Sequence, residues 1–109
     1  MKVVTKQELY SYPSGTVYSD YGDGVIGGLY IKTQSIRDDD WNMVDLLDPE
    51  FDGEPYKVID DLENGKEVSY HISNENNSDL NNFEGSFIVY SKKDVWKIIE
   101  ALENAVKQS

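Results

Sequence analysis

Eleven carboxylates lie within residues 38–63, and their mutual repulsion constrains how this part of the chain can fold. The stretch has one base, Lys57, and therefore a net charge of −10. The other 83 residues hold ten acids and nine bases, so the chain is a nearly neutral domain with one acidic segment. The repulsion costs stability unless a partner supplies positive charge. The eleven acids are Asp38, Asp39, Asp40, Asp45, Asp48, Glu50, Asp52, Glu54, Asp60, Asp61 and Glu63.

Length and composition narrow the class of protein. The 109 residues predict one domain, spanning residues 1–109, with a modest core. The absence of cysteine excludes disulfides and thiolate metal sites. No apolar run is long enough for a membrane span, and residues 1–8 do not resemble a signal peptide. We therefore expect a soluble protein in the cytoplasm.

Local patterns predict eight main elements. Thr5-Lys6-Gln7-Glu8 and Ser91-Lys92-Lys93-Asp94 are capping motifs that open helices. Pro55 at a first helical position and Gly65 as a left-handed cap bound a middle helix, with Tyr56, Ile59 and Leu62 as its apolar stripe. Residues 41–47 suit a strand or a helical turn, and a strand is favoured because it would continue a meander. Strands are predicted at residues 16–21, 25–33, 41–47, 68–72 and 85–90.

Glycine and proline mark the connections. Gly22-Asp23-Gly24 predicts a hairpin loop, and Gly27-Gly28 predicts a bulge or a close approach of the backbone. Pro49 and Gly53 indicate a loop, and residues 73–82, rich in asparagine, indicate a mobile loop. The resulting order is α-β-β-β-α-β-β-α. It predicts an α+β domain, with a mostly antiparallel sheet of about five short strands and helices packed on one face.

The sequence lacks the residues of a familiar active site. His71 is the single histidine, and in an alternating strand we expect it to face water. Serine triads need a histidine partner, and Ser69 and Ser73 do not lie on a nucleophile elbow. The glycine pairs lack the lysine and helix start of a phosphate-binding loop. We expect no enzyme activity and no cofactor.

A calcium site is one alternative within the acidic segment. Asp48, Glu50 and Asp52 occupy positions one, three and five before Gly53, as in a calcium-binding loop. Position twelve, which should be a glutamate, is Ile59. A polar turn before a helix explains the same residues.

A charged binding face is the leading interpretation of the segment. Its aromatic residues are Trp41, Phe51 and Tyr56, of which Trp41 and Tyr56 are expected in the core. Phe51, between two acids in a predicted loop, is the candidate for an exposed anchor. The predicted partner-binding residues are Asp38, Asp39, Asp40, Asp45, Asp48, Glu50, Phe51, Asp52 and Glu54.

The first third of the chain resembles small bacteriophage and prophage proteins. The resemblance rests on Val4-Thr5-Lys6-Gln7-Glu8-Leu9, on Pro13-Ser14-Gly15-Thr16-Val17-Tyr18 and on Ile31-Lys32. In those proteins a capped helical turn leads through a Pro-x-Gly-Thr step into the first strand. In size and charge the chain is also similar to phage-encoded inhibitors of bacterial defence, including anti-CRISPR proteins. No functional residue is carried over, and the resemblance implies the cytoplasm of a bacterial host.

Three functions remain open at the level of sequence. The first is a non-enzymatic inhibitor that mimics nucleic acid and binds a basic surface of a host nuclease or defence protein. The second is a small-ligand or calcium-binding module, and the third is a phage accessory protein whose acidity only keeps it solvated. The net charge of −11 and the single arginine, Arg37, argue against direct binding of DNA or RNA. The oligomeric state is left open.

Overall fold

A computed structural model describes residues 1–36, 40–72, 76–77 and 85–108, with residues 76–77 described by their backbone alone. Over these residues the chain forms a six-stranded antiparallel sheet, a separate two-stranded sheet and three helices. The predicted α+β class is therefore confirmed. The elements along the chain are β1 (Lys2–Val4), α1 (Lys6–Tyr10), β2 (Val17–Gly22), β3 (Val25–Ile36), β4 (Asp40–Asp45), β5 (Pro49–Phe51), α2 (Pro55–Glu63), β6 (Tyr70–Ile72), β7 (Asn76–Asn77), β8 (Ser86–Tyr90) and α3 (Lys92–Lys107).

Three short strands add to the predicted order. In the main sheet the strands run β1-β8-β2-β3-β4-β7, and β5 pairs only with β6. β1 lies before the first capping motif and forms against β8, a partner more than 80 residues away. β5 replaces the predicted loop at Pro49. β7 pairs with β4 inside the segment predicted as a mobile loop, and residues 73–75 and 78–82 of that segment lie outside the described part.

Both capping motifs form as predicted. The Thr5 hydroxyl accepts from the Glu8 backbone N–H at 3.1 Å, and the Glu8 carboxylate accepts from the Thr5 N–H at 3.0 Å. Ser91 and Asp94 make the same reciprocal pair at 3.1 and 3.0 Å. The hydrogen bonds from the Thr5 backbone and side chain lower the pKa of Glu8.

The β2–β3 hairpin contains the predicted turn and bulge. Asp23 and Gly24 both have positive φ, 51° and 77°, which matches a two-residue turn between paired Gly22 and Val25. The register then shifts, because Tyr18 pairs with Tyr30 whereas Asp20 pairs with Gly27. The extra residue in β3 is a β-bulge.

The core lies on the sheet face that α1 covers. It contains Val4, Leu9, Tyr18, Trp41, Met43, Phe87 and Val89. The Trp41 indole N–H donates to the Tyr18 hydroxyl at 2.8 Å, and that hydroxyl contacts Met43 Sδ at 3.4 Å. The rings of Tyr18, Trp41 and Phe87 pack edge to face. Trp41 is thus a core residue in a strand, as expected.

A buried lysine attaches the end of α1 to the sheet. Lys32 on β3 is 1% exposed. Its ammonium donates to the Tyr10 carbonyl at 3.0 Å, to the Tyr12 carbonyl, and to the Ser35 hydroxyl at 2.6 Å. Burial lowers the pKa of Lys32, while its three hydrogen bonds satisfy the three donors of the ammonium.

Candidate functional site

The acidic segment runs along β4, through β5 and into α2, so its carboxylates do not form one row. Asp40 and Asp45 are five positions apart in β4 and therefore point to opposite faces of the sheet. Asp40 accepts from the Trp41 N–H at 2.9 Å, and Asp45 accepts from the Leu47 N–H at 3.0 Å. Asp38 and Asp39 lie outside the described residues.

The charge of Asp45 acts on titratable side chains of the main sheet. It lies opposite Tyr30, whose hydroxyl donates to Asp20 at 3.0 Å. Burial, opposed by this hydrogen bond and assisted by the charge of Asp45, raises the pKa of Asp20. Burial and the charge of Asp20 raise the pKa of Tyr30 to about 12. The charge of Asp45 thus acts on both Asp20 and Tyr30, and the charge of Asp48 also contributes to the raised pKa of Tyr30.

The remaining acids of the segment lie in a unit that we call the acidic lobe, residues 48–72, which contains β5, α2 and β6. It carries eight carboxylates, two lysines and His71. β5 and β6 form its hairpin, with Glu50 opposite His71 and Phe51 opposite Tyr70. Because side chains alternate along a strand, one face is polar and the other carries Pro49, Phe51, Tyr70 and Ile72.

The polar face of the hairpin is organised around His71, which is exposed as predicted. Its Nε2 lies 3.0 Å from a carboxylate oxygen of Glu50, and its Nδ1 lies 3.6 Å from a carboxylate oxygen of Asp52. The two ring nitrogens point in different directions, so the two carboxylates approach the imidazole from different sides.

The geometry of the hairpin does not provide the set of ligands that the calcium hypothesis requires. Within the described part of the chain, no three Asp, Glu or His side chains form a group that could hold a metal ion. Glu50 and Asp52 contact His71 instead of converging with Asp48.

The apolar face of the hairpin is exposed to solvent. Phe51 is 40% exposed and its cross-strand neighbour Tyr70 is 60% exposed, with Ile72 also on the surface. Phe51 therefore occupies the exposed position that the sequence predicted. Tyr70 and Ile72 were missed because their place beside Phe51 depends on pairing between strands 19 or more positions apart. The apolar–acidic alternation of Pro49-Glu50-Phe51-Asp52 was the signal that could have indicated a strand.

The α2 helix buries less than its pattern suggested. Only Val58 is buried, whereas Tyr56, Ile59 and Leu62 are exposed. The expectation that Tyr56 lies in the core is wrong, because its side chain is 84% exposed. Glu54 is the N-cap residue without a side-chain cap bond, and Asp61 forms weak ion pairs with Lys57 and Lys66, both at 3.7 Å.

The acidic lobe thus presents aromatic and aliphatic side chains among exposed carboxylates. Among the residues described, the exposed carboxylates of the lobe with no ion pair in the chain are Asp48, Glu54, Asp60, Glu63 and Glu67. Such a surface can bind a complementary surface that supplies both apolar contacts and positive charge.

Searches against protein-family models, curated proteins and solved structures find no match to this chain. None of the helices in the described part is long and apolar enough to cross a membrane.

Proposed function

We propose that the chain is a non-enzymatic protein-binding domain that holds a basic surface of another protein against its acidic lobe. The observation that carries the proposal is the exposed pair Phe51 and Tyr70 on one face of a hairpin whose surroundings are acidic. Exposed aromatic residues are typical anchors of interfaces, and the carboxylates around them supply electrostatic complementarity.

The charge of the lobe favours a basic partner. Carboxylates such as Asp48, Glu54 and Asp60 gain attraction when lysine or arginine side chains approach, and the same field accelerates the encounter. In a narrower form of the proposal, the partner is a host nuclease or defence protein, and the chain blocks its nucleic-acid-binding surface. This form rests on the charge of −10 in residues 38–63 and on the resemblance to phage-encoded inhibitors.

Capture from bacterial lysate at low salt, followed by elution in a salt gradient, tests the general proposal. A partner bound through the lobe should elute as salt is raised, because exposed charge pairs are screened. Competition with double-stranded DNA tests the narrower form. DNA should release the captured protein if both occupy one basic surface.

Variants assign the contact to the lobe. We expect Phe51→Ala or Tyr70→Ala to weaken binding by about 5- to 30-fold, as the loss of an interface anchor does. The control is Val25→Ala in the β2–β3 hairpin, where an apolar residue that is 66% exposed lies outside the lobe. Asp48→Lys with Glu54→Lys should also weaken binding, whereas Asp23→Lys should not. Retained binding in all the lobe variants would contradict the proposal.

A further inference from the structure

The C-terminal helix packs on the domain only through its first half. Val95, Ile98 and Ile99 are partly buried, whereas every residue from Glu100 to Gln108 is exposed. Leu102 and Val106 are 63% and 74% exposed. A helix of this length extends for roughly 24 Å, and within the described part of the chain nothing covers its second half.

The exposed half continues the apolar stripe of the packed half. Val95, Ile99, Leu102 and Val106 are spaced by four, three and four residues, which places them on one helix face. Isolated helical segments are marginal in water, and most helical stability comes from packing an apolar face. The exposed stripe would therefore be stabilised by a covering surface.

An open groove lies beside the first half of α3. It has a volume of about 850 Å³ and lies between residues 12–17, the end of β8 and the first turns of the helix. Apolar and aromatic side chains line most of it, including Pro13, Val95, Trp96 and Ile99. The charged residues that line it are Lys2 and Lys92, and no carboxylate lines it. This local charge is opposite to that of the chain as a whole.

The two halves of α3 are complementary in charge. Lys92 and Trp96 lie on the same flank of the helix as Glu100 and Glu103, because residues three, four and seven apart align along a helix. The first half thus offers a groove with lysines, and the second half offers apolar side chains flanked by glutamates. In an antiparallel helix pair the equivalent flanks face each other.

We propose that two copies of the chain pair through α3 in antiparallel orientation. The second half of each helix lies in the groove beside the first half of the other. Leu102 of one copy lies beside Val95 of its mate, Ile99 lies beside Trp96, and Val106 lies beside Val89 at the end of the groove. Lys92 then lies opposite Glu103 of the second copy, so the two-fold axis passes between Lys97 and Ile98. The contact is self-complementary, as a two-fold dimer requires.

The acidic lobe is attached to the main sheet at β4, away from the strand that leads into α3. It follows β4, and three strand spacings separate β4 from β8, which leads into α3. This corresponds to roughly 14 Å, more than a Debye length at 0.1 M salt. The pairing uses α3 and the groove beside it, and none of its contacts involves a residue of the acidic lobe.

Sedimentation and light scattering of the untagged chain test the pairing. We expect a monomer–dimer equilibrium between about 5 µM and about 0.5 mM, because a two-helix contact is a small interface. Trp96 fluorescence should shift to the blue with concentration, while buried Trp41 contributes a constant background. A chain that stays monomeric across this range overturns the proposal. This holds even if the fluorescence of Trp96 is that of a shielded indole at all concentrations.

Substitutions distinguish this contact from nonspecific association. Leu102→Asp and Val106→Asp should abolish the dimer and keep the circular dichroism of the fold, since both side chains are exposed in the monomer. Val25→Asp, at a residue 66% exposed in the β2–β3 hairpin, should leave the dimer intact. Lys92→Glu or Glu103→Lys alone should weaken pairing by about three- to tenfold, and the double variant should restore it. A dimer that survives Leu102→Asp, or a double variant no better than the single ones, refutes the antiparallel register.

Discussion

Gly28 shows how a single residue sets the geometry of the central hairpin. Its φ is +71°, and a Cβ at this position would lie 2.4 Å from the Tyr30 hydroxyl. That hydroxyl also donates to Asp20, so the ring cannot move away without breaking a hydrogen bond. The glycine is required both by its backbone conformation and by the close approach of Tyr30.

Gly28→Ala should therefore destabilise the protein by about 2–4 kcal/mol, the sum of left-handed backbone strain and a steric overlap. Gly24 is the matched control, because its φ is +77° but nothing lies within 4 Å of its ideal Cβ. Gly24→Ala should cost about 1–2 kcal/mol. Urea unfolding of the two variants measures the difference, and equal costs would contradict the role assigned to Tyr30.

At the scale of the element, the N-terminus of α3 couples helix stability to pH. The N-terminal amine lies 2.6 Å from Asp94, and this contact, with the Ser91 N–H and hydroxyl, holds the pKa of Asp94 well below its ordinary value of 3.8. A carboxyl whose pKa is lower in the folded than in the unfolded protein stabilises the fold at pH values above its unfolded-state pKa. This stabilisation is lost as the pH falls through its folded-state pKa. The stabilisation by Asp94 is thus present at neutral pH and is lost progressively as the pH falls below about 4.

Asp94→Asn should lower the melting temperature at pH 7 and flatten its fall below pH 4, because asparagine does not ionise. Thermal unfolding of both proteins between about pH 2 and pH 7 measures this effect. The two curves should converge at the acid end. A constant difference across the whole range would show that the carboxylate charge is not the cause.

Helices and turns were predictable from sequence where their signals are local. Thr5 with Glu8 and Ser91 with Asp94 fall within one helical turn, and Asp23-Gly24 determines a turn by itself. β1 and β5 were missed because each becomes a strand through a distant partner, and Pro49 is a poor local signal for a strand.

Side-chain burial and the arrangement of the acids were less predictable than the elements. The spacing of Tyr56, Ile59 and Leu62 indicated a helix face correctly, but whether a face is buried depends on what packs against it. Similarly, the exposure of Phe51 could be predicted, whereas the place of Tyr70 beside it required the β5–β6 pairing. The separation of Asp40 from Asp45 depends on the strand geometry of β4, which a count of charges does not contain.

For the whole molecule, the concentration of negative charge makes stability dependent on salt. At low ionic strength the carboxylates of the acidic lobe repel one another, and salt screens that repulsion. At a dilute protein concentration, raising salt from about 10 mM to about 0.3 M should raise the melting temperature by about 3–6 °C, equivalent to somewhat less than 1 kcal/mol.

The variant Asp48→Asn with Glu54→Gln should be more stable at low salt and less responsive to added salt. Neither carboxylate forms an ion pair in the described structure, so their neutralisation removes repulsion without removing an attraction. A melting temperature that falls as salt increases would instead indicate that ion pairs such as Lys57–Asp61 dominate.

The position of β8 between β1 and β2 has a consequence for synthesis of the chain. In the sheet, β1 and β2 are connected by hydrogen bonds only through β8. Until β8 has been synthesised, β1 has no partner strand, one edge of β2 is unpaired, and Phe87 is missing from the core. Unpaired strand edges are templates for association with other chains. The sheet closes only when residues 86–90 are added, and translation that stops before them leaves a product prone to aggregation.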